Sequence, residues 1–434
     1  MLCLLYYINE RNQLMEKIGK QISVLFRSAT PETVYAYSPG ICVLPGGRLI
    51  ATMDLGGPGV SELDGIKGSV GTAQVKGKIF LSDNGGESWR FITDTPMQHA
   101  RPFISGNSIY VLGHASDLTI VRSDDGGESW SDPVKLTQGQ LWHQAPCNVH
   151  YAKGNVYLVM ERALERECRA WNVSILAPVL MRARCGDDLT KRENWTFASE
   201  ICCRETIDIE KSKYFGMPFY KSLGTVFNLL CSEPKKRHFP PPGWLETNVV
   251  QFTDPRHIWY DPQGKTFHLF MRAHTGGTNM AAVIKVVEND DGSMTTMMEN
   301  APSGEPLVYL PFPGGEMKFH ILKDEQTDLF WLVCTQPTDS FVRPEALDDD
   351  RYDLPNNERQ RLVLYFSRNC VDWIFAGLVD KGETQKQSRH YASMAIHGDD
   401  LIILSRSGDK DAFSAHNTNM ITVHRVENFR SLIY

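Results

Sequence analysis

Five histidines stand beside aromatic, apolar or amide residues along the chain. His143 follows Trp142, His257 precedes Ile258, His320 follows Lys318 and Phe319, His390 precedes Tyr391, and His416 precedes Asn417. An imidazole titrates near neutrality, so histidines gathered in one polar pocket could act as general acid or base. Taken singly, each is more often a satisfied structural residue. A histidine cluster could also hold a metal, but no tight ligand spacing supports one. The ten cysteines form no C-x-x-C pair, which argues against a zinc site. No metal and no cofactor is expected.

Any such pocket has to be built by the elements around it, and a repeat identifies them. Ser82-Asp83-Asn84-Gly85-Gly86-Glu87-Ser88-Trp89 recurs as Ser123-Asp124-Asp125-Gly126-Gly127-Glu128-Ser129-Trp130, with one difference. Each copy follows an apolar β-type run, Lys78–Leu81 or Leu118–Val121. The octapeptide has turn chemistry. Asn or Asp accepts bonds from nearby N–H groups, Gly supplies positive φ, and Trp packs the turn onto a sheet. Ser367–Trp373 is a weaker copy, one residue short, and Cys185–Trp195 is a longer one.

Between the repeats run short strands separated by Gly, Pro, Asn or Asp turns, with few amphipathic helices. Recurring strand units without helices point to an all-β, six-bladed β-propeller. The 434 residues give about 70 per blade. Residues 1–29 read as an N-terminal extension and 30–434 as the propeller. Arg204–Pro242 and Ser340–Asn357 read as long loops. The start, Met1–Ile8, is apolar but is followed at once by Glu10 and Arg11, a poor secretory signal that slightly favours the cytoplasm.

Composition narrows the partners. The chain is 42% hydrophobic and 22% charged, with a net charge of −7, which gives no footprint for nucleic acid. No apolar run is long enough for a membrane span.

The two octapeptides resemble Asp-boxes, also called BNR repeats, the hallmark of the sialidase superfamily. The resemblance covers roughly residues 30–434 and implies a six-bladed propeller of the sialidase type with a central pocket. Asp-boxes lie away from the active site of that family, so they imply fold more than function. Sialidases grip a substrate carboxylate with three arginines. They use a Tyr nucleophile assisted by a Glu, and an Asp as acid/base. Three guanidinium groups suit a carboxylate, because Arg is permanently charged and binds as a fork.

Transferred position by position, the resemblance implies the following. Arg272, after the Asp261–Gly264 turn, matches the second arginine. Arg359, eight residues before Ser367, matches the third, with Arg361 the next choice. The first arginine is replaced by Tyr37 in Tyr37-Ser38-Pro39. Tyr391, in Tyr391-Ala-Ser-Met-Ala-Ile, matches the nucleophile. The acid/base is Asp64 or Glu62 on the loop Leu55–Gly71, with Asp54 a third candidate. The assisting Glu falls at His257, and Glu246 is the lesser candidate. His320, His390 and Arg406 join the substrate-binding set. The implied function is a sialidase-like glycoside hydrolase (exo-alpha-sialidase-like). Its carbohydrate substrate carries a terminal acidic or modified sugar, and the incomplete arginine set leaves sialic acid itself in doubt. The alternative is a non-catalytic propeller that binds glycans or proteins. A lyase on the same fold is a third reading.

Overall fold

The computed structural model describes residues 16–165, 172–207, 242–275, 279–342, 346 and 358–434. Met1–Ile8 and most of the two irregular stretches, 208–241 and 343–357 apart from 346, lie outside that set.

Six antiparallel sheets stand in a ring as blades. The innermost strands of the first two blades are Tyr35–Val43 and Gln98–Ser105. The third blade uses two short pieces, Trp142–His143 and His150–Ala152. Gly243–Val250, His320–Asp324 and Arg389–His397 begin the fourth to sixth blades. Each blade then steps outward through successive hairpins. The last blade is closed from the other end of the chain. Lys20–Arg27, assigned from sequence to the extension, pairs with Met420–Val426 as the outermost strand. The propeller therefore begins before residue 30, and the ring is closed by hydrogen bonds between the two ends of the chain.

Each blade buries both faces against its neighbours, and this explains why the strands read as apolar runs instead of alternating. Leu49–Gly56 is buried at every position. Most of the apolar residues fall into clusters that span two adjacent blades. Met53 and Phe80 meet Ile402 and Leu404 at the closure, for example, and Tyr157 and Leu180 meet Phe267 and Ile284 between the third and fourth blades. At roughly 25 cal/mol per Å² of apolar area, these inter-blade contacts are the main force holding the ring together.

The repeated octapeptides join the third and fourth strands of their blades, all at one end of the ring. In the first, Ser82 Oγ receives the Gly86 N–H at 2.9 Å and Asn84 Oδ1 receives the Ser88 N–H at 3.0 Å. In the second, Ser123 Oγ receives Gly127 N–H at 2.9 Å and Asp125 Oδ1 receives Ser129 N–H at 3.0 Å. Trp89 and Trp130 each donate to the preceding glycine carbonyl, at 3.1 and 3.0 Å. The shorter copy makes the corresponding bonds, Cys370 N–H to Ser367 Oγ at 3.0 Å and Asp372 N–H to Asn369 Oδ1 at 2.8 Å. Cys370 takes a left-handed φ of 57°, similar to that of Gly85.

At the opposite end, the innermost strands carry β-bulges. Register shifts fall between Tyr37 and Gly40, Gln98 and Arg101, Leu245 and Asn248, and His390 and Ser393. Each bulge holds one non-glycine residue at positive φ: Ser38 at 39°, His99 at 56°, Glu246 at 59° and Tyr391 at 50°. Such conformations cost of order 1–3 kcal/mol each and characteristically re-aim a side chain.

Candidate functional site

The bulges deliver Glu246 and Tyr391 to one place. Arg272, near the end of Thr266–His274, is 2% exposed, and its Nη1 donates to Tyr391 Oη at 3.0 Å and to Glu246 Oε2 at 3.2 Å. Its Nε donates to the Glu316 carbonyl at 2.8 Å, which fixes the guanidinium plane. Glu246 is 1% exposed, so the ion pair is fully desolvated. Burial would lower the Arg272 pKa, but Glu246 and the Tyr391 phenol hold it above its ordinary value. Burial raises the Tyr391 phenol, and Glu246 raises it further, while Arg272, Arg359 and Arg406 pull it down.

Two more guanidinium groups complete this wall. Arg359 Nη1 donates to His390 Nδ1 at 3.1 Å, and the His390 ring sits edge-on to Tyr391 with centroids 5.2 Å apart. Arg406, on Asp400–Ser407, lies over the Tyr37 ring at 4.0 Å and over the Tyr391 ring at 4.9 Å. It also donates to the His416 carbonyl. Tyr37 stands where the resemblance leads one to expect an arginine, and Arg406 from the neighbouring blade brings a guanidinium over its ring. Tyr37 Oη donates to Asn417 Oδ1 at 2.6 Å, and burial pushes its phenol up to about 12.

The facing wall is built of imidazoles and carboxyls. His99 Nδ1 and His114 Nε2 are 3.1 Å apart, and the His143 ring lies 5.0 Å from that of His99. His143 Nδ1 meets Glu161 Oε2 at 2.9 Å. Burial, aided by neighbouring histidines, pushes His114 down to about 3 and His99 well below its ordinary value. Burial also pulls on His143, but Glu161 reverses the direction and raises it. Asp54, opposite Tyr37 in the strand pairing, is fully buried. Its Oδ1 accepts the His99 N–H at 3.1 Å, and burial raises its pKa to about 7.

Tyr391, Arg272, Arg359, Arg406, His390 and Tyr37 therefore converge. Five other residues expected from sequence do not join them. Asp64 and Glu62 are exposed, and the Asp64 carbonyl accepts from Lys76, which pairs with Asp94 on the blade's outer strand at 2.6 Å. His257 stacks on Phe252 with centroids 3.8 Å apart, and its Nε2 lies 3.4 Å from the Asn369 carbonyl, in the repeat turn at the other end of the ring. It therefore does not occupy the place of the assisting Glu, and Glu246 stands beside Tyr391 instead. Arg361 is bound to the buried Glu358.

His320, the remaining departure, lines a separate axial cavity of about 830 Å³ with Arg101, Cys147, His150 and Gln251. None of the arginine wall lines that cavity. Side chains also cross-link the inner segments of neighbouring blades. Gln144 Nε2 donates to the Thr247 carbonyl at 2.8 Å, Asn248 Nδ2 to the Phe319 carbonyl at 3.2 Å, and Lys318 Nζ to Ser393 Oγ at 3.2 Å. Groups with opposed charges and shifted pKa values converge at the arginine and imidazole walls instead, which makes these walls the candidate site.

On the facing wall, the sequence offered His143 and Asp54 but not His99, His114 and Glu161, which follow no motif. One signal could have exposed His99 and favoured Glu246 over His257. Ser38-Pro-Gly40, His99-Ala-Arg101, Glu246-Thr-Asn248 and Tyr391-Ala-Ser393 occupy equivalent places at the starts of their blades.

No family model and no curated sequence matches the chain. Solved structures do. A protein of unknown function from Dyadobacter fermentans is 12% identical with a TM-score of 0.51, the match covering 94% of this chain and 98% of that one. A mutant Trypanosoma rangeli sialidase displaying trans-sialidase activity is also 12% identical with a TM-score of 0.51. That match covers 96% of this chain but 60% of the trypanosomal enzyme. At such identity the likeness speaks for architecture, and that architecture is the six-bladed β-propeller of the sialidase type.

Proposed function

We propose that the protein is a retaining glycoside hydrolase acting on a terminal acidic sugar, with Tyr391 as nucleophile. The observation that carries this reading is the Arg272 guanidinium shared between Tyr391 Oη and Glu246 Oε2. A phenol is a poor nucleophile until it loses its proton, and here a buried carboxylate lies beside it to take that proton. Three guanidinium groups around the same ring supply the field that favours the phenolate, and they hold the anionic group of the sugar. In the first step the Tyr391 oxygen bonds to the anomeric carbon, the glycosidic C–O bond breaks, and Glu246 receives the phenolic proton. In the second, water attacks the anomeric carbon, the tyrosyl oxygen leaves, and Glu246 returns the proton. A donor on the facing wall protonates the leaving oxygen.

Purified protein assayed on aryl sialosides and aryl uronosides tests the reading. Turnover of one class is expected, and Tyr391→Phe and Arg272→Ala are each expected to lower it by at least ~100-fold. Unaltered turnover in both variants rejects the assignment. Sugar binding without turnover makes the protein a glycan-binding propeller.

A further inference from the structure

The imidazole wall contains a built dyad. Glu161 is fully buried, and every contact on it is a donated bond: Thr247 N–H at 3.0 Å and Thr247 Oγ at 2.9 Å on Oε1, and His143 Nδ1 at 2.9 Å on Oε2. Burial pushes this carboxyl up, while the bonds from His143 and Thr247 pull it back. A carboxylate held this way keeps a His143 proton on Nδ1 and leaves Nε2 as the ring nitrogen turned away from Glu161. His143 is 25% exposed whereas Glu161 behind it is sealed, so its outer edge is the accessible one. Thr247 adjoins Glu246 on the same bulge, which ties the dyad to the partner of Tyr391.

Asp54 is the competing donor. It is 0% exposed, with Oδ1 committed to the His99 backbone. A general acid must come within roughly 2.6–3.2 Å of the oxygen it protonates. The His143 edge is partly exposed and so open to a substrate, whereas the Asp54 carboxyl is sealed, its Oδ2 buried without a hydrogen-bond partner.

We infer that His143, oriented by Glu161, is the proton-transfer residue of this site. The inference rests on the glycosidase reading above and replaces the carboxylic acid expected from the resemblance with an imidazole. Protonated His143 gives its Nε2 proton to the leaving oxygen as the glycosidic bond breaks. The neutral ring then takes a proton from the water that attacks the tyrosyl-bound sugar, so the cycle returns every proton to its origin. The groups that face His143 are His99 at 5.0 Å and His114 at 6.3 Å between ring centroids, the bonded Glu161, and the charges of Glu246 and Arg272. His99 and His114 are kept neutral by burial, so they do not compete for the proton.

Two substrates carrying the same acidic sugar test this in the full chain. A 4-nitrophenyl glycoside needs little help to leave, whereas a methyl glycoside needs a proton. His143→Gln is expected to lower kcat/KM on the methyl glycoside by ~100-fold or more and on the aryl glycoside by less than ~10-fold. The alkaline limb of the methyl-glycoside pH profile should disappear with it. Equal losses on both substrates overturn the assignment, as does the leaving-group pattern appearing in Asp54→Asn while His143→Gln lacks it. A wild-type protein that turns over neither substrate instead sinks the glycosidase reading. Thermal unfolding of both variants distinguishes lost chemistry from lost folding.

Discussion

The two walls of the site use charge in opposite ways. On the wall of the fourth to sixth blades, Arg272, Arg359 and Arg406 keep their charge at any ordinary pH and pull on the Tyr391 phenol beside them. On the wall of the first three blades, His99 and His114 have lost theirs to burial, Asp54 is poised near 7, and His143 is kept basic by Glu161. One side is a fixed anion receptor and the other a set of groups that exchange protons. The contrast teaches that burial alone does not decide ionisation. His143 and His114 are both imidazoles that burial pulls down, and the difference lies in the Glu161 carboxylate bonded to His143 alone.

The contrast can be broken most severely at Arg272. Arg272→Ala leaves Glu246 as an unpaired buried charge and should cost about 3–5 kcal/mol in chemical denaturation. Arg272→Lys should recover little, because an ammonium cannot serve Tyr391, Glu246 and the Glu316 carbonyl in one plane. A near-wild-type denaturation midpoint for Arg272→Ala would mean that the fixed-charge wall is not integral to the fold.

Glu161→Gln addresses the exchanging wall. Loss of the carboxylate should cost about 1–3 kcal/mol and let burial lower the His143 pKa, moving the alkaline limb of activity to lower pH. An unmoved limb would show that Glu161 does not set the basicity of His143.

Asp54→Asn probes the same wall through the pH dependence of stability. The folded carboxyl titrates near 7, well above the ordinary 3.8 of an exposed aspartate, so between those values the folded state binds the extra proton. Stability from this group is greatest at low pH and falls as pH rises through that window, by at most ~1.4 kcal/mol for each step of one in pH. The asparagine variant should therefore show a flatter stability profile from about pH 4 to 7 in denaturant titrations. A profile parallel to wild type would contradict the burial argument.

The smallest effects belong to Glu62→Gln and Asp64→Asn. Both side chains are exposed on the outer loop, so stability should change by less than ~0.5 kcal/mol and turnover hardly at all. A large loss of turnover in either would bring that loop into the site.

Much of the architecture was legible in the sequence, because turn chemistry is local. Ser82–Trp89 and Ser123–Trp130 carry their own hydrogen-bond partners, and Ser367–Trp373 keeps enough of them to make the same turn. The strand from Lys20 to Arg27 was not legible as part of the ring, since its pairing to Met420–Val426 joins distant ends of the chain. In the site, the sequence brought out Arg272, Arg359, Arg406, Tyr391, Tyr37, His390 and His143, with Asp54 and Glu246 as lesser candidates. His257 was misplaced because counting residues back from Arg272 ignores the hairpin, which carries position 257 to the far end of the blade. Glu246 and His99 depend on bulges, where a one-residue register shift decides which side chain points inward. Glu161 is invisible until two blades meet and Thr247 reaches it.

The most direct test of the account is to trap the sugar on the protein. A fluorinated acidic glycoside with a good leaving group should form a covalent adduct during turnover, and peptide mapping by mass spectrometry should place the added mass on Tyr391. Tyr391→Phe should remain unmodified. An adduct on any other residue, or steady turnover of the unfluorinated sugar by Tyr391→Phe, would contradict the proposal that the arginine wall activates this phenol.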